Sequence, residues 1–187
     1  IFPSSRIDGD VTLQVYPGIK NSLGYPFKNR DSYQIRFETP KPQVEIIGKG
    51  TILPDSKGLI LPFKAVSVKA VEVQVIKIFE NNVASFLQDN NLDGEEQLRR
   101  AGRLVVKKII MLNDNKNLDL TQWNTFSLDL STLITPDPGA IYRVVLQLKR
   151  DYSIYPCDGE EINNDPIEDK GITDDDIAYW DTPSTYS

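Results

Sequence analysis

Apolar and polar residues alternate along most of this chain. Val11, Leu13 and Val15 alternate with Thr12 and Gln14, and Tyr33, Ile35 and Phe37 alternate with Gln34 and Arg36. Val71, Val73 and Val75 alternate with Glu72 and Gln74, and Tyr142, Val144, Leu146 and Leu148 with Arg143, Gln147 and Lys149. A period of two with one polar face predicts half-buried antiparallel strands. After Val75 the apolar set passes to Ile76 and Ile78, and a β-bulge there would restore the pleat. Leu104 to Leu112 is apolar on both phases at its ends, around Lys107 and Lys108, and Phe126, Leu128 and Leu130 make a further short strand.

One segment departs from this period. Val83, Phe86 and Leu87 recur at helical spacing after Asn81 and Asn82, either of which can cap. A short helix is expected from about Val83 to Asp89. Proline clusters before Phe63 and after Thr135, so the longest regular elements should lie between. The bend Thr135-Pro136-Asp137-Pro138-Gly139 leads into Ile141-Tyr142. A strand-opening tyrosine after such a bend makes Tyr142 a candidate tyrosine corner, its hydroxyl tying the strand start to upstream backbone. Many short strands with turns between them predict an all-β fold, an antiparallel two-sheet β-sandwich with one short helix inserted near residues 83–89.

The 187 residues amount to one domain and part of another at roughly 150 residues per domain. Their net charge of −6 is unevenly spread. Ten of the 27 acids but one of the 21 bases fall between Asp158 and Ser187, which leaves a body of +3 and a tail of −9. An acid run of this kind reads as a solvated segment. The chain opens on Ile1 without a signal-peptide pattern and reads as a piece of something longer.

Composition narrows the chemistry. With no histidine, Ser-His-Asp and Cys-His catalysis and His-ligated zinc are excluded. The single cysteine makes neither an internal disulfide nor a thiolate cage, so Cys157 is either a small buried residue or half of a bond to a partner elsewhere. No apolar stretch approaches the roughly 18 residues needed to span a bilayer. Asp89, Asn91, Asp93 and Gly94 match the first half of a calcium loop, but its twelfth position is Arg100, where a bidentate glutamate is needed. That stretch reads as a polar turn ending a helix. Asp174, Asp175 and Asp176 are adjacent acids in a flexible chain and preorganise no site. Arg99, Arg100, Arg103, Lys107 and Lys108 form a basic patch without interleaved aromatics, which reads as a solvated face or a docking surface and not as a nucleic-acid site. Trp123 reads as a core or turn anchor. Tyr179 and Trp180, aromatics inside the acidic tail, mark a candidate docking element. No residue stands out as catalytic, cofactor-binding or metal-binding, and no enzyme activity is expected.

Two stretches carry a resemblance. Gly58 to Val71, Val75 to Val83 and Phe86-Leu87-Gln88 resemble the amino-terminal macroglobulin-domain region of large bacterial alpha-2-macroglobulin family proteins, the Bacteroides type especially. Leu98 to Arg103, Trp123-Asn124 with Phe126 to Leu130, Pro138 to Val144, Tyr152 to Cys157 and Trp180-Asp181 continue it in order, over roughly residues 43 to 181. Pro17 to Asn21, Gly24 and Tyr33 to Phe37 separately resemble the last strands of a bacterial Ig-like domain.

The resemblance implies residues 1–40 as terminal Ig-like strands, 41–157 as a macroglobulin-type sandwich and 158–187 as an acidic interdomain linker. It implies a non-catalytic structural module of a secreted or periplasmic proteinase inhibitor, in which a proteinase cleaves a bait segment and is held as the chain rearranges. Cys157 is followed by Asp158-Gly159-Glu160, which lacks the family's thioester pattern. It also implies that Cys157 pairs with a cysteine beyond Ser187, leaving a mobile acidic loop up to about Thr173. The implied partners are neighbouring domains of the same long chain and, through the full-length protein, target proteinases. No nucleic acid, cofactor or direct membrane contact by this piece is expected, and the parent chain is expected in the periplasm or at the cell surface, anchored as a lipoprotein. The competing expectation is an Ig-like surface module that binds a glycan or a host protein.

Overall fold

The structure, a computed structural model, describes residues 9–37, 40–48, 58–89, 98–114, 118–155, 162 and 165–181. The chain divides into two compact units, Ile1–Pro40 and Lys41–Ser187. In the first, β1 (Gly9–Val15) and β2 (Asp31–Phe37) form an antiparallel pair. Val11 lies opposite Ile35 and Leu13 opposite Tyr33, so the apolar sets of both strands share a face. Between them the chain folds back on itself, with a bridge between Lys20 and Pro26. The Asn21 carboxamide oxygen accepts from the backbone N–H groups of Leu23 and Tyr25 at 3.0 Å.

The second unit holds two three-stranded antiparallel sheets. One runs β3 (Gln43–Ile46), β4 (Ile60–Val66), β7 (Asn124–Asp129). The other runs β6 (Gly102–Met111), β5 (Ala70–Ile78), β8 (Ile141–Gln147). Leu61, Phe63 and Ala65 of β4 and Leu128 of β7 pack with Val71, Val73 and Val75 of β5 in one buried cluster. This is the sandwich core, and its residues are the inward set of each alternation. Phe63 and Phe126 lie opposite each other in register, with their rings stacked at 5.4 Å. The fold is the all-β antiparallel sandwich expected from the alternation.

Among the described residues three α-helices accompany the sheets: α1 (Glu80–Asp89), α2 (Leu98–Ala101) and α3 (Asp174–Asp181). The expectation of a single short helix near residues 83–89 is therefore corrected. α1 covers that span and begins three residues earlier. α3 was hidden because only Trp180 of its eight residues is buried, so it writes no apolar stripe. β3 and β4 were obscured by the surrounding prolines. Pro62 sits inside β4, the middle strand of its sheet, yet β3 pairs only as far as Ile46 opposite Phe63. The Pro62 carbonyl accepts from Ile47 at 2.9 Å, just beyond the end of β3, so the proline keeps an acceptor bond at the end of the ladder where its missing N–H costs least.

The register shifts between Val75 and Ile76, where a bulge was expected. The extra residue is nevertheless in β6: Val75 lies opposite Val106 and Ile76 opposite Leu104, which leaves Val105 unmatched. The alternation of β5 never slips. Ile76 and Ile78 face away from the sandwich core into a second buried cluster with Phe86, Leu98 and Trp180. Residues expected as part of an acidic linker thus supply a wall of the domain.

The bend before β8 is tied by Tyr142. Its hydroxyl accepts from the Asp137 N–H at 3.0 Å and donates to the Thr135 carbonyl at 3.4 Å. Gly139 closes the bend at φ +78°, where a Cβ would come within 2.7 Å of the Glu80 side chain. Removing the hydroxyl with Tyr142→Phe should lower unfolding free energy by about 1 kcal/mol. Urea denaturation should show a lower midpoint with an unchanged slope.

Candidate functional site

The outer face of the β6–β5–β8 sheet carries the polar and charged groups of interest. Residue rows cross it in register: Ile109, Glu72 and Gln147, then Lys107, Gln74 and Val145. Leu104, Ile76 and Arg143 follow, then Gly102, Ile78 and Ile141. The first two rows form a polar half and the last two an apolar half of one surface.

Glu72 centres the polar half and is 1% exposed. A buried carboxylate needs partners on both oxygens. Gln74 donates to one at 2.7 Å, and Lys149 donates to the other at 2.5 Å. The Tyr152 hydroxyl lies 3.5 Å from the oxygen that Lys149 holds. Gln74 also donates to Gln147 at 2.9 Å, which ties β5 to β8 through side chains. The bond to Glu72 raises the Lys149 pKa above its ordinary value despite partial burial. Burial pushes the Tyr152 phenol up. A groove of about 470 Å³ opens here, bounded by Glu72, Lys107, Lys149 and Tyr152 on the sheet side and by residues 165–171 opposite.

The apolar half is closed by α3. Thr173 and Asp176 cap its start reciprocally: the Asp176 carboxylate accepts from the Thr173 N–H at 2.9 Å and hydroxyl at 2.7 Å, and the Asp176 N–H donates to that hydroxyl at 3.3 Å. Lys107 reaches both Asp176 carboxylate oxygens, at 2.6 and 2.8 Å. Arg103 approaches Asp181 at 3.3 Å, and the Arg99 guanidinium lies 3.9 Å over the Tyr179 ring. Burial acts to raise the Asp176 pKa, but the bonds from Lys107 and Thr173 outweigh it and hold the carboxyl at about 2.

Among the residues singled out from sequence, Tyr179 and Trp180 come together with Arg99, Arg103 and Lys107 of the basic patch, whereas Lys108 lies in register with the inward-facing Val73. Trp180 is 9% exposed in the second cluster, while Tyr179 is 57% exposed and meets it edge-on at 6.2 Å. Tyr142 lies at the bend before β8, away from the groove lining. Cys157 and residues 90–95 of the calcium-like stretch lie outside the described residues. Among the described residues no cluster of acids, cysteine or histidine is arranged to hold a metal ion. Trp123 is 41% exposed beside β7, with the Lys64 ammonium 4.5 Å over its ring. Glu72, Lys149 and Tyr152 were missed because an acid alternating with valines looks solvent-facing and its partner lies 77 residues away. The Thr173-x-x-Asp176 spacing was a visible cue to a helix start.

The fold of this chain is similar to that of domains in bacterial alpha-2-macroglobulins. Cryo-EM of native Escherichia coli alpha-2-macroglobulin matches 75% of this chain with a TM-score of 0.54 and 18% identity. The native E. coli crystal structure spanning domains MG0-NIE-MG1 matches the same share at 0.50 and 16%. A mutant Salmonella alpha-2-macroglobulin matches at 0.49 and 20%. The matched region spans 9%, 44% and 8% of those chains, less than half the length of each. No family model and no curated protein sequence matches this chain. Among the described residues no helix is long and apolar enough to cross a membrane.

Two measurements test the electrostatics of this face. Because the folded pKa of Asp176 lies below its ordinary value of roughly 3.9, its stabilisation is complete above pH ~4 and lost as pH falls toward ~2. Wild type should exceed Asp176→Asn in unfolding free energy by about 2 kcal/mol at neutral pH, and the gap should close in that acid window. Lys149→Ala leaves the Glu72 carboxylate buried without its cation and should cost about 2–3 kcal/mol by urea denaturation at pH 7.

Proposed function

We propose that this chain is a non-catalytic structural module of a large alpha-2-macroglobulin-like proteinase inhibitor. The observation that carries the reading is the sandwich itself, superposable over three quarters of the chain on native E. coli alpha-2-macroglobulin. The ordered sequence resemblance from residue 43 to 181 supports the same reading. The charged groups described above are engaged with one another: Glu72 with Lys149, Asp176 with Lys107, Asp181 with Arg103. That is the chemistry of a wall that holds its shape.

In this reading the parent is of the Bacteroides type, secreted or periplasmic and anchored as a lipoprotein. Residues 1–40 are the closing strands of an Ig-like domain, and Cys157 pairs with a cysteine further along the chain. Its partners are the flanking domains and, through the whole inhibitor, the target proteinase. The trap is exercised by the full-length protein and not by this piece.

The deciding assay compares the isolated chain with the full-length parent against an endopeptidase acting on a large protein substrate. The isolated chain should leave turnover unchanged, whereas the parent should suppress it. A parent that leaves cleavage of the large substrate untouched would overturn the proteinase-trap reading. Saturable binding of the isolated chain on a glycan array would instead favour a surface-binding module.

A further inference from the structure

The structure assigns to the outer face of the β6–β5–β8 sheet the role of a helix socket, with α3 as a reversible, salt-gated occupant that leaves while the sandwich stays folded. This goes beyond the scaffold reading and does not depend on it.

The two buried clusters are separate. The sandwich core draws on β4, β5 and β7 and includes no residue of α3. The second cluster includes α3 through Trp180 alone, seated among Ile76, Ile78, Phe86 and Leu98. An eight-residue helix is too short to persist undocked, so α3 is ordered as it seats. Its attachment runs through side chains: Lys107 to Asp176, Arg103 to Asp181, and Arg99 over Tyr179. A contact surface made of one aromatic anchor and a row of charges opens at lower free energy than a sheet held by ladder hydrogen bonds.

The charges are placed for salt control. The Arg103 and Asp181 side chains are 43% and 58% exposed, and those of Lys107 and Asp176 are 16% and 22%. Salt therefore reaches the first pair readily and the second less so. Unseating α3 would uncover an apolar slot rimmed by Arg99, Arg103 and Lys107. Such a slot fits an acidic helix carrying one tryptophan, which is the chemistry of α3 itself.

The test uses the whole 187-residue chain. Hydrogen exchange read by mass spectrometry would be compared at about 0.1 M and about 1 M NaCl, over which the Debye length falls from about 10 Å to about 3 Å. Amides of α3 should exchange about tenfold faster at high salt, through the screening of two partly exposed ion pairs, while those of β4 and β5 hold their rates. Lys107→Ala should produce the faster exchange at low salt. A fluorescent peptide copying residues 165–181 should then bind saturably to the chain carrying Trp180→Ala, whose socket is vacated, and weakly to wild type at low salt. Should that variant fail to fold, Asp176→Asn with Asp181→Asn vacates the socket without touching the buried anchor. Exchange of α3 at the same rate as β5 at every salt concentration would overturn the proposal. So would a folded, vacated variant that takes up no peptide.

Discussion

Strand β5 is buried on both faces, and the rest of the domain is arranged around that requirement. Its odd-numbered valines, Val71, Val73 and Val75, close the sandwich core, while Ile76 and Ile78 point the other way and are equally shielded. A sheet with one solvated face needs one layer of cover. This sheet needs two, and the second is assembled from α1, α2 and α3, which arrive from different parts of the chain. The bulge in β6 falls beside Val75 and Ile76, where the outer face changes from polar to apolar. An unmatched residue there bends the strand and increases its local twist.

The polar half of the same face has its own constraint. A carboxylate as buried as Glu72 is costly unless its oxygens are held, and its cation comes from Lys149, just beyond β8. That pairing fixes where the chain goes after the last strand. Tyr152 follows at once, and its carbonyl accepts from Lys69 at 2.7 Å, while Ile154 donates to the Ser67 carbonyl at 3.0 Å. Ser67 to Lys69 is the corner at which the chain crosses from one sheet to the other, and Ser67 adopts φ +57° there. A strained corner persists when its surroundings over-determine it, and the segment held by Glu72 supplies part of that surrounding. The buried ion pair thus acts on geometry as much as on energy.

Alternation made β1, β2, β5, β7 and β8 legible, because a period of two survives wherever one face is polar, while β6 was legible only as an apolar run around Lys107 and Lys108. It misled where both faces are apolar. Ile76 and Ile78 looked like a slip of phase, when the outward face had simply acquired a covering. Pro62 hid β4 because its tolerance depends on where β3 stops, a fact of pairing that no local pattern contains. Tyr142 was legible because the bend and the strand start are adjacent in sequence. Glu72 was not, since its partner lies far along the chain.

The acidic tail shows how the same residues support opposite readings. Ten acids over thirty residues resemble a solvated segment, because like charges repel and few apolar groups offset the entropy of ordering. Opposite α2 and β6, the balance changes. Asp174, Asp175 and Asp176 lie in the first turn of α3, where negative charge is favoured by the helix dipole. Asp176 also serves as a capping partner of Thr173 and the anchor for Lys107. Asp181 meets Arg103 at the other end. With these charges satisfied, one tryptophan suffices to seat a helix too short to form alone. The acidity that marks the segment as a tail is therefore what lets its last turns belong to the domain.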